Sequence, residues 1–218
     1  MPTALSARLL ERRLALQASL DYAWNKFFAA PDARDRYLDY MVEVYHYVKF
    51  SCPLMALTAS RLEGSHAGVI EYLKHHMEEE KGHEELALND LEALGFKRGQ
   101  ILRSLPARET MALIGTQLYI IHELNPIGHL GYIYAMESDP PTPASVQSLS
   151  QRLDLPLGAL SCFLEHAEAD PGHAADLTRM LDAEVRDAED QGLVEYNVQI
   201  TLEHMSDLIL ALATRDRP

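Results

Sequence analysis

The sequence predicts an all-α fold, a single domain of about seven helices covering residues 1–218. Three observations predict it. Apolar residues recur at helical spacing through nearly every long segment, and no segment carries the alternation of a strand. The segments are separated by Pro and Gly signals. Finally, 218 residues at 47% hydrophobic composition suffice for one substantial core, and no interval is long or polar enough to be a linker.

Taken in order, the first helix is expected at about residues 3–29, ended by Pro31-Asp32. Its start, MPTALSARLLERRLALQ, is amphipathic and charged too early for a secretory signal. A second helix is expected at about 33–60, before Glu63-Gly64-Ser65, and a third at about 65–95, before Gly95-Phe96. The fourth, about 107–138, follows Leu105-Pro106, kinks at Asn125-Pro126 and stops before Asp139-Pro140-Pro141. A short helix at about 143–152 precedes Leu155-Pro156. Two more are expected at about 156–170 and 172–214, with Pro171-Gly172 as a kink and a division near Gly192.

A net charge of −14 leaves no basic stretch to meet phosphates, which argues against nucleic acid and anionic membrane as partners. Residues 145–166, SVQSLSQRLDLPLGALSCFLEH, imitate a helix-turn-helix in their spacing. The second helix, however, offers no Arg, Lys, Asn or Gln to read bases. The longest apolar runs, such as LILALA at 208–213, are far too short to span a bilayer. Cys52 and Cys162 lie far apart with no CxxC and read as reduced core thiols. A soluble cytoplasmic protein is expected.

Three polar clusters carry the candidate chemistry. FLEHAEADPGH at 163–173 places His166, Asp170 and His173 at i, i+4 and i+7, within roughly 60° of one another on a continuous helix. Two imidazoles and a carboxylate on one stripe suit iron, manganese or zinc. The alternative is a helix end followed by a start, with Asp170 as N-cap and Pro171 at the first position. HHMEEEKGHEELALNDL at 75–91 puts His76, Glu79, Glu80 and His83 on one stripe close to the apolar side marked by Ile70, Leu73, Met77, Leu86 and Leu91. Glu80 and His83 have the Glu-x-x-His spacing of carboxylate-bridged di-iron bundles; the alternative is a solvated acidic face. In IIHELNPIGHLGYIYAMES at 120–138, Glu137 ends a strongly apolar helix. Burying a lone carboxylate costs several kcal/mol unless it is paired or ligated, so Glu137 is either a ligand or an exposed last turn. Gly128 and Gly131 permit close approach of a helix or a substrate, and His122 and His129 read as core histidines or supports for a ligand. Lys49, in VYHYVKFSCPL, reads as a snorkelling lysine, with pairing to a substrate carboxylate as the alternative.

Together the clusters offer Glu80 and His83, then Glu137, then His166, Asp170 and His173. Such a mixture suits two iron atoms with positions open to dioxygen. On these residues the chain resembles the haem-oxygenase-like di-metal oxidases and oxygenases, fold relatives of pyrroloquinoline-quinone synthase and thiaminase II. The motifs are His166–Asp170–His173 as HxxxDxxH, Glu137 about thirty residues earlier, and Glu79–Glu80–His83 as EExGH, followed by Leu88, Leu91 and Leu94-Gly95. Their order and intervals match over roughly 65–185.

The resemblance implies a seven-helix haem-oxygenase-like bundle and metal ligation by His83, Glu137, His166, Asp170 and His173. Several members carry a ligand Glu seven residues before the first His, where this chain has His76. Glu79, Glu80 or His76 therefore completes the first site. Tyr22 lies where a self-sacrificing member keeps its consumed tyrosine. Haem-oxygenase activity does not follow, because no His precedes His46. The function implied is oxidation of a small organic substrate with dioxygen, using two irons per chain, with manganese or partial occupancy as variants and a homodimer as one open assembly. A metal-free enzyme of the pyrroloquinoline-quinone synthase or thiaminase II type, or a non-catalytic binding protein, is the alternative.

Overall fold

The computed structural model describes residues 4–62 and 64–216, without the side chains of residues 65 and 169–171. Among the described residues there are helices and no strand. They form α1 (Leu5–Ala29), α2 (Ala33–Val48), α3 (Ser51–Arg61), α4 (Ala67–Glu80), α5 (His83–Ala93), the single turn α6 (Arg98–Ile101), α7 (Arg108–Tyr119), α8 (His129–Glu137), α9 (Pro143–Leu153), α10 (Ser161–Glu184) and α11 (Ala188–Thr214). The all-α expectation holds. The count of seven is corrected to eleven among the described residues, because several long segments are interrupted.

Each interruption has a local cause. Pro53 falls in the first turn of α3, where a missing N–H is tolerated, and this separates α3 from α2 at Lys49-Phe50. Gly82, at φ +96°, separates α4 from α5 in a left-handed conformation that costs glycine little. The segment expected as one helix over 107–138 widens into a π turn at Ile120–Leu124, breaks at Asn125-Pro126, and resumes through a 3₁₀ turn into α8. The Asn125 side chain accepts from the Ile127 N–H and so covers a donor that the break exposes.

At Pro171 the chain continues within one long helix, as a kink there requires. The boundary is what is corrected: α10 runs to Glu184, and the chain turns at 185–187 rather than dividing near Gly192. There Asp187 caps α11 by accepting from the N–H groups of Glu189 and Asp190. α11 then continues past Gly192 without the expected division.

α11 packs along α1 and against α7 and α8, while α10 packs on α4, α5 and α8. The helices bearing the three polar clusters are thereby gathered around α10. The approach of α8 to α11 depends on Gly131. A Cβ there would lie 2.3 Å from the Val194 carbonyl oxygen and 2.9 Å from the Asn197 Cβ. Beside it, the buried Asn197 amide donates to Gln117 and to the Gly128 carbonyl, fixing the same junction. No described helix is long and apolar enough to cross a membrane.

Gly131→Ala should therefore destabilise the protein by about 1–3 kcal/mol, since backbone rather than a mobile side chain must move. Gly115→Ala, in α7 with open space around the new methyl, should be neutral or raise stability by up to about 1 kcal/mol. Thermal or denaturant unfolding of the two variants checks the contrast.

Candidate metal centre

Seven polar side chains from four helices converge, six of them buried or half-buried and Glu79 at the exposed edge. α4 supplies His76, Glu79 and Glu80, α5 supplies His83, α8 supplies Glu137, and α10 supplies His166 and His173. The expectation of one continuous stripe over 76–83 is corrected: the chain breaks at Lys81-Gly82, yet His83 at the start of α5 still brings Nδ1 to 3.1 Å from Glu80 Oε2. Asp170 lies on α10 between the two histidines, and its side chain is outside the described residues.

The groups sort into two trios, His76–Glu79–His173 and Glu80–His83–His166, in each of which one ligand atom per residue lies within 4.8 Å of the others. The three residues left as alternatives for the first site are thus not rivals: His76 and Glu79 belong to one trio, Glu80 to the other. Glu137 joins the first through His76, whose Nε2 lies 2.7 Å from Glu137 Oε1. His173 links the trios, 3.5 Å from Glu79 and 3.8 Å from Glu80. The His76 and His173 rings meet edge-on at 4.7 Å, and those of His83 and His166 at 4.9 Å.

The electrostatics are those of carboxylates taken out of water. Burial raises the Glu137 pKa, and its contacts with His76 only partly offset this. For Glu80 burial also acts upward, but the hydrogen bond and charge of His83 outweigh it, so the carboxyl is lowered. Burial acts downward on His76 and Glu137 outweighs it, leaving that imidazole raised. Glu137 Oε2 is buried with no hydrogen-bond partner, a lone-pair site that a cation would satisfy.

The orientation of His166 bears on the same point. Its Nδ1 lies 2.6 Å from the Cys162 carbonyl oxygen. A carbonyl can only accept, so Nδ1 carries a proton, and in the neutral ring Nε2 keeps the lone pair, the arrangement that metal-ligating histidines adopt. Asp90, on α5 and 1% exposed, accepts from the Ser161 N–H and O–H and from the Cys162 N–H. It caps α10 from the helix that carries His83, so the two helices of the second trio are tied at one buried carboxylate. This clamp was not read from the sequence, where Asp90 is one acid among many.

Against these groups lies a cavity of about 260 Å³, reached by His76, Glu80, Glu137 and His166 and otherwise mostly apolar and aromatic. His129 is on its wall, with Nδ1 2.9 Å from the Thr58 hydroxyl. His122 is corrected: it is exposed on the π turn, away from the site. Lys49 snorkels as expected, its Nζ 3.1 Å from His46 Nδ1 and over the Tyr45 ring. Tyr22 is 56% exposed and is not part of the cavity wall.

Residues 38–204 match the model of a family described as iron-containing redox enzymes. The chain belongs to that family. Its fold is also that of a domain of unknown function with a haem oxygenase-like fold from Shewanella denitrificans (25% identity, TM-score 0.78, 95% of this chain and 90% of that one). A CADD-like protein of unknown function from Nostoc punctiforme is similar at 20% identity and TM-score 0.72, over 95% of this chain and 96% of that one. A TenA homologue from Pseudomonas syringae is similar at 15% and 0.66, over 92% and 91%. No protein of curated function matches in sequence. The haem-oxygenase-like fold and the redox-enzyme family that the motifs implied are thereby shown.

Burial holds the His129 pKa down to about 3. In the unfolded chain an ordinary histidine titrates near 6.5. The neutral buried ring therefore contributes stability that is complete above about pH 6.5 and is lost as pH falls toward 3, because only the unfolded chain takes up the proton. At pH 5 this amounts to roughly 2 kcal/mol. Denaturant unfolding of metal-free wild type and His129→Asn at pH 7 and pH 5 should show the smaller acid-induced loss in the variant.

Proposed function

We propose that this family member oxidises a small organic substrate with dioxygen at a pair of irons held by the two trios. The observation that carries the proposal is the pairing of His76–Glu79–His173 with Glu80–His83–His166 beside Glu137, at the wall of an apolar cavity. Three imidazoles or more with several carboxylates are a donor set suited to iron. Glu80, His83 and His166 would hold one ion. His173, Glu137 and the His76–Glu79 turn would hold the other, with Asp170 as a further donor from α10. Bound ferrous ions would supply the electrons that reduce dioxygen and the oxidising power directed at the substrate.

The chain's own residues do the rest. Glu80 and Glu137 would offset the charge of bound ions, and Glu80 lies between His83 and His173, where a carboxylate can serve both trios. The Cys162 carbonyl fixes the His166 ring, and Asp90 fixes the helix that carries it. The aromatic and aliphatic wall excludes bulk water and holds the substrate against the ligand cluster.

A metal-free reading in the manner of thiaminase II has one observation in its favour: Cys162 borders the cavity with Sγ 3.9 Å from His166 Nδ1. That nitrogen already carries the proton it gives to the Cys162 carbonyl, so it cannot take one from the thiol. The second thiol, Cys52, is raised by burial, then by Glu80 and its acidic neighbours, away from nucleophilic reactivity. The metal reading is preferred on those grounds.

Anaerobic titration with ferrous ion tests it. Wild type should take up about two equivalents, and His166→Ala and His173→Ala should each lose about one. Affinity should weaken on acidification, because the imidazoles bind only when neutral. The loaded protein should consume dioxygen, and the chelated protein should not. Weak, equal uptake by wild type and both variants would overturn the assignment.

A further inference from the structure

The cavity carries one positive charge that the metal centre does not use. Arg13, on α1, borders it and is 7% exposed. Among the described residues on the wall it is the one Arg or Lys. Its ion-pair partner is Asp139, just beyond α8, whose side chain is 67% exposed. A guanidinium presents five N–H donors and cannot shed its charge, so a buried one requires an anion. An aspartate exposed to this degree is screened by water and weakly held. It returns to solvent at little cost when another anion arrives.

The remaining wall suits an apolar body. Trp24, Tyr40 and Phe163 form one aromatic face, with Trp24 edge-on to Tyr40 at 5.2 Å and Tyr40 stacked on Phe163 at 6.5 Å. Leu20, Met205 and Ile209 add an aliphatic side. The volume of about 260 Å³ corresponds to about nine waters, or on the order of ten heavy atoms of ligand. Glu80, Glu137 and Asp139 border the same space in a chain of net charge −14. One guanidinium against that background supports a monoanion better than a phosphate dianion.

We propose that Arg13 binds the carboxylate of a compact organic acid, in place of Asp139, with the acid's apolar body against Trp24, Tyr40 and Phe163 and its far end toward the ligand cluster. The proposal rests on reading this cavity as the substrate site of the metal centre. A planar carboxylate can take two parallel N–H bonds from the guanidinium, which fixes the orientation of the substrate as well as its charge.

Trp24 is the one tryptophan of the chain, so its fluorescence reports occupancy of the cavity directly. The full-length protein, freed of metal by chelation, is titrated with 3-phenylpropanoate and with the neutral 3-phenylpropanamide. Removing metal ensures that a carboxylate preference cannot come from ligation. Wild type should bind the acid at least about tenfold more tightly than the amide. Arg13→Gln should bring the acid down to the affinity of the amide, and Asp139→Asn should tighten acid binding severalfold while leaving the amide unchanged. Equal binding of acid and amide by wild type, or an acid preference surviving in Arg13→Gln, overturns the proposal. If circular dichroism shows Arg13→Gln unfolded, Asp139→Asn decides, and an unchanged acid affinity overturns the proposal. Ferrous titration of wild type keeps the two readings apart. Acid preference without iron uptake upholds the anion site and removes only the metal reading, whereas iron uptake without acid preference does the reverse.

Discussion

Two carboxylates buried in a helical core set the terms for the rest of this molecule. Glu80 and Glu137 are largely withdrawn from water, and an isolated charge in that position costs several kcal/mol. Each is tolerated because an imidazole faces it, His83 for Glu80 and His76 for Glu137. Those imidazoles come from different helices or from different sides of a helix break. Gly82 turns the chain so that α5 begins on His83, and the Asn125-Pro126 break starts the segment that ends on Glu137. Asp90 clamps α10 to α5 so that His166 cannot drift from the cluster. The polar centre and the helix packing therefore stabilise one another: the first trio needs α4 on α10, the second needs α4 and α5 on α10, and Glu137 reaches His76 from α8.

Much of this was legible in the sequence because it depends on period. Helical spacing of apolar residues identified the all-α class, spacings of three, four and seven picked out Glu80, His83, His166 and His173, and Glu137 stood out as a carboxylate ending a strongly apolar helix. What depends on local backbone choice was less legible. Pro171 lies within α10 as a kink in a long helix allows, but the turn falls at 185–187, where Asp187 caps the next helix, and not near Gly192. The stripe at 76–83 reads as one helix by its spacing, but the positive φ of Gly82 divides it. His122 carries the same chemistry as His129 and lies in the same motif. His122 falls on the π turn and is exposed, whereas His129 starts α8 beyond the Asn125-Pro126 break and lies on the wall. Arg13 had no sequence signal, because an arginine in an amphipathic first helix is ordinarily on the solvent face.

The fold does not settle the chemistry. The structural relatives include a TenA homologue and proteins of unknown function, and one scaffold can host unrelated activities. The particular donors are more informative. Glu137 Oε2 is buried without a partner, and the His166 proton is committed to a carbonyl, so both groups present lone pairs toward a shared interior. A general base could use either lone pair singly; cation binding uses both at once.

The most direct measurement is crystallographic. Crystals of protein loaded anaerobically with ferrous ion, with data collected on both sides of the iron absorption edge, locate iron without reference to activity. The account predicts two anomalous peaks, one among Glu80, His83 and His166, the other among Glu137, His173 and the His76–Glu79 turn. A map with no peak within bonding distance of these side chains, in crystals that contain iron elsewhere, would contradict it.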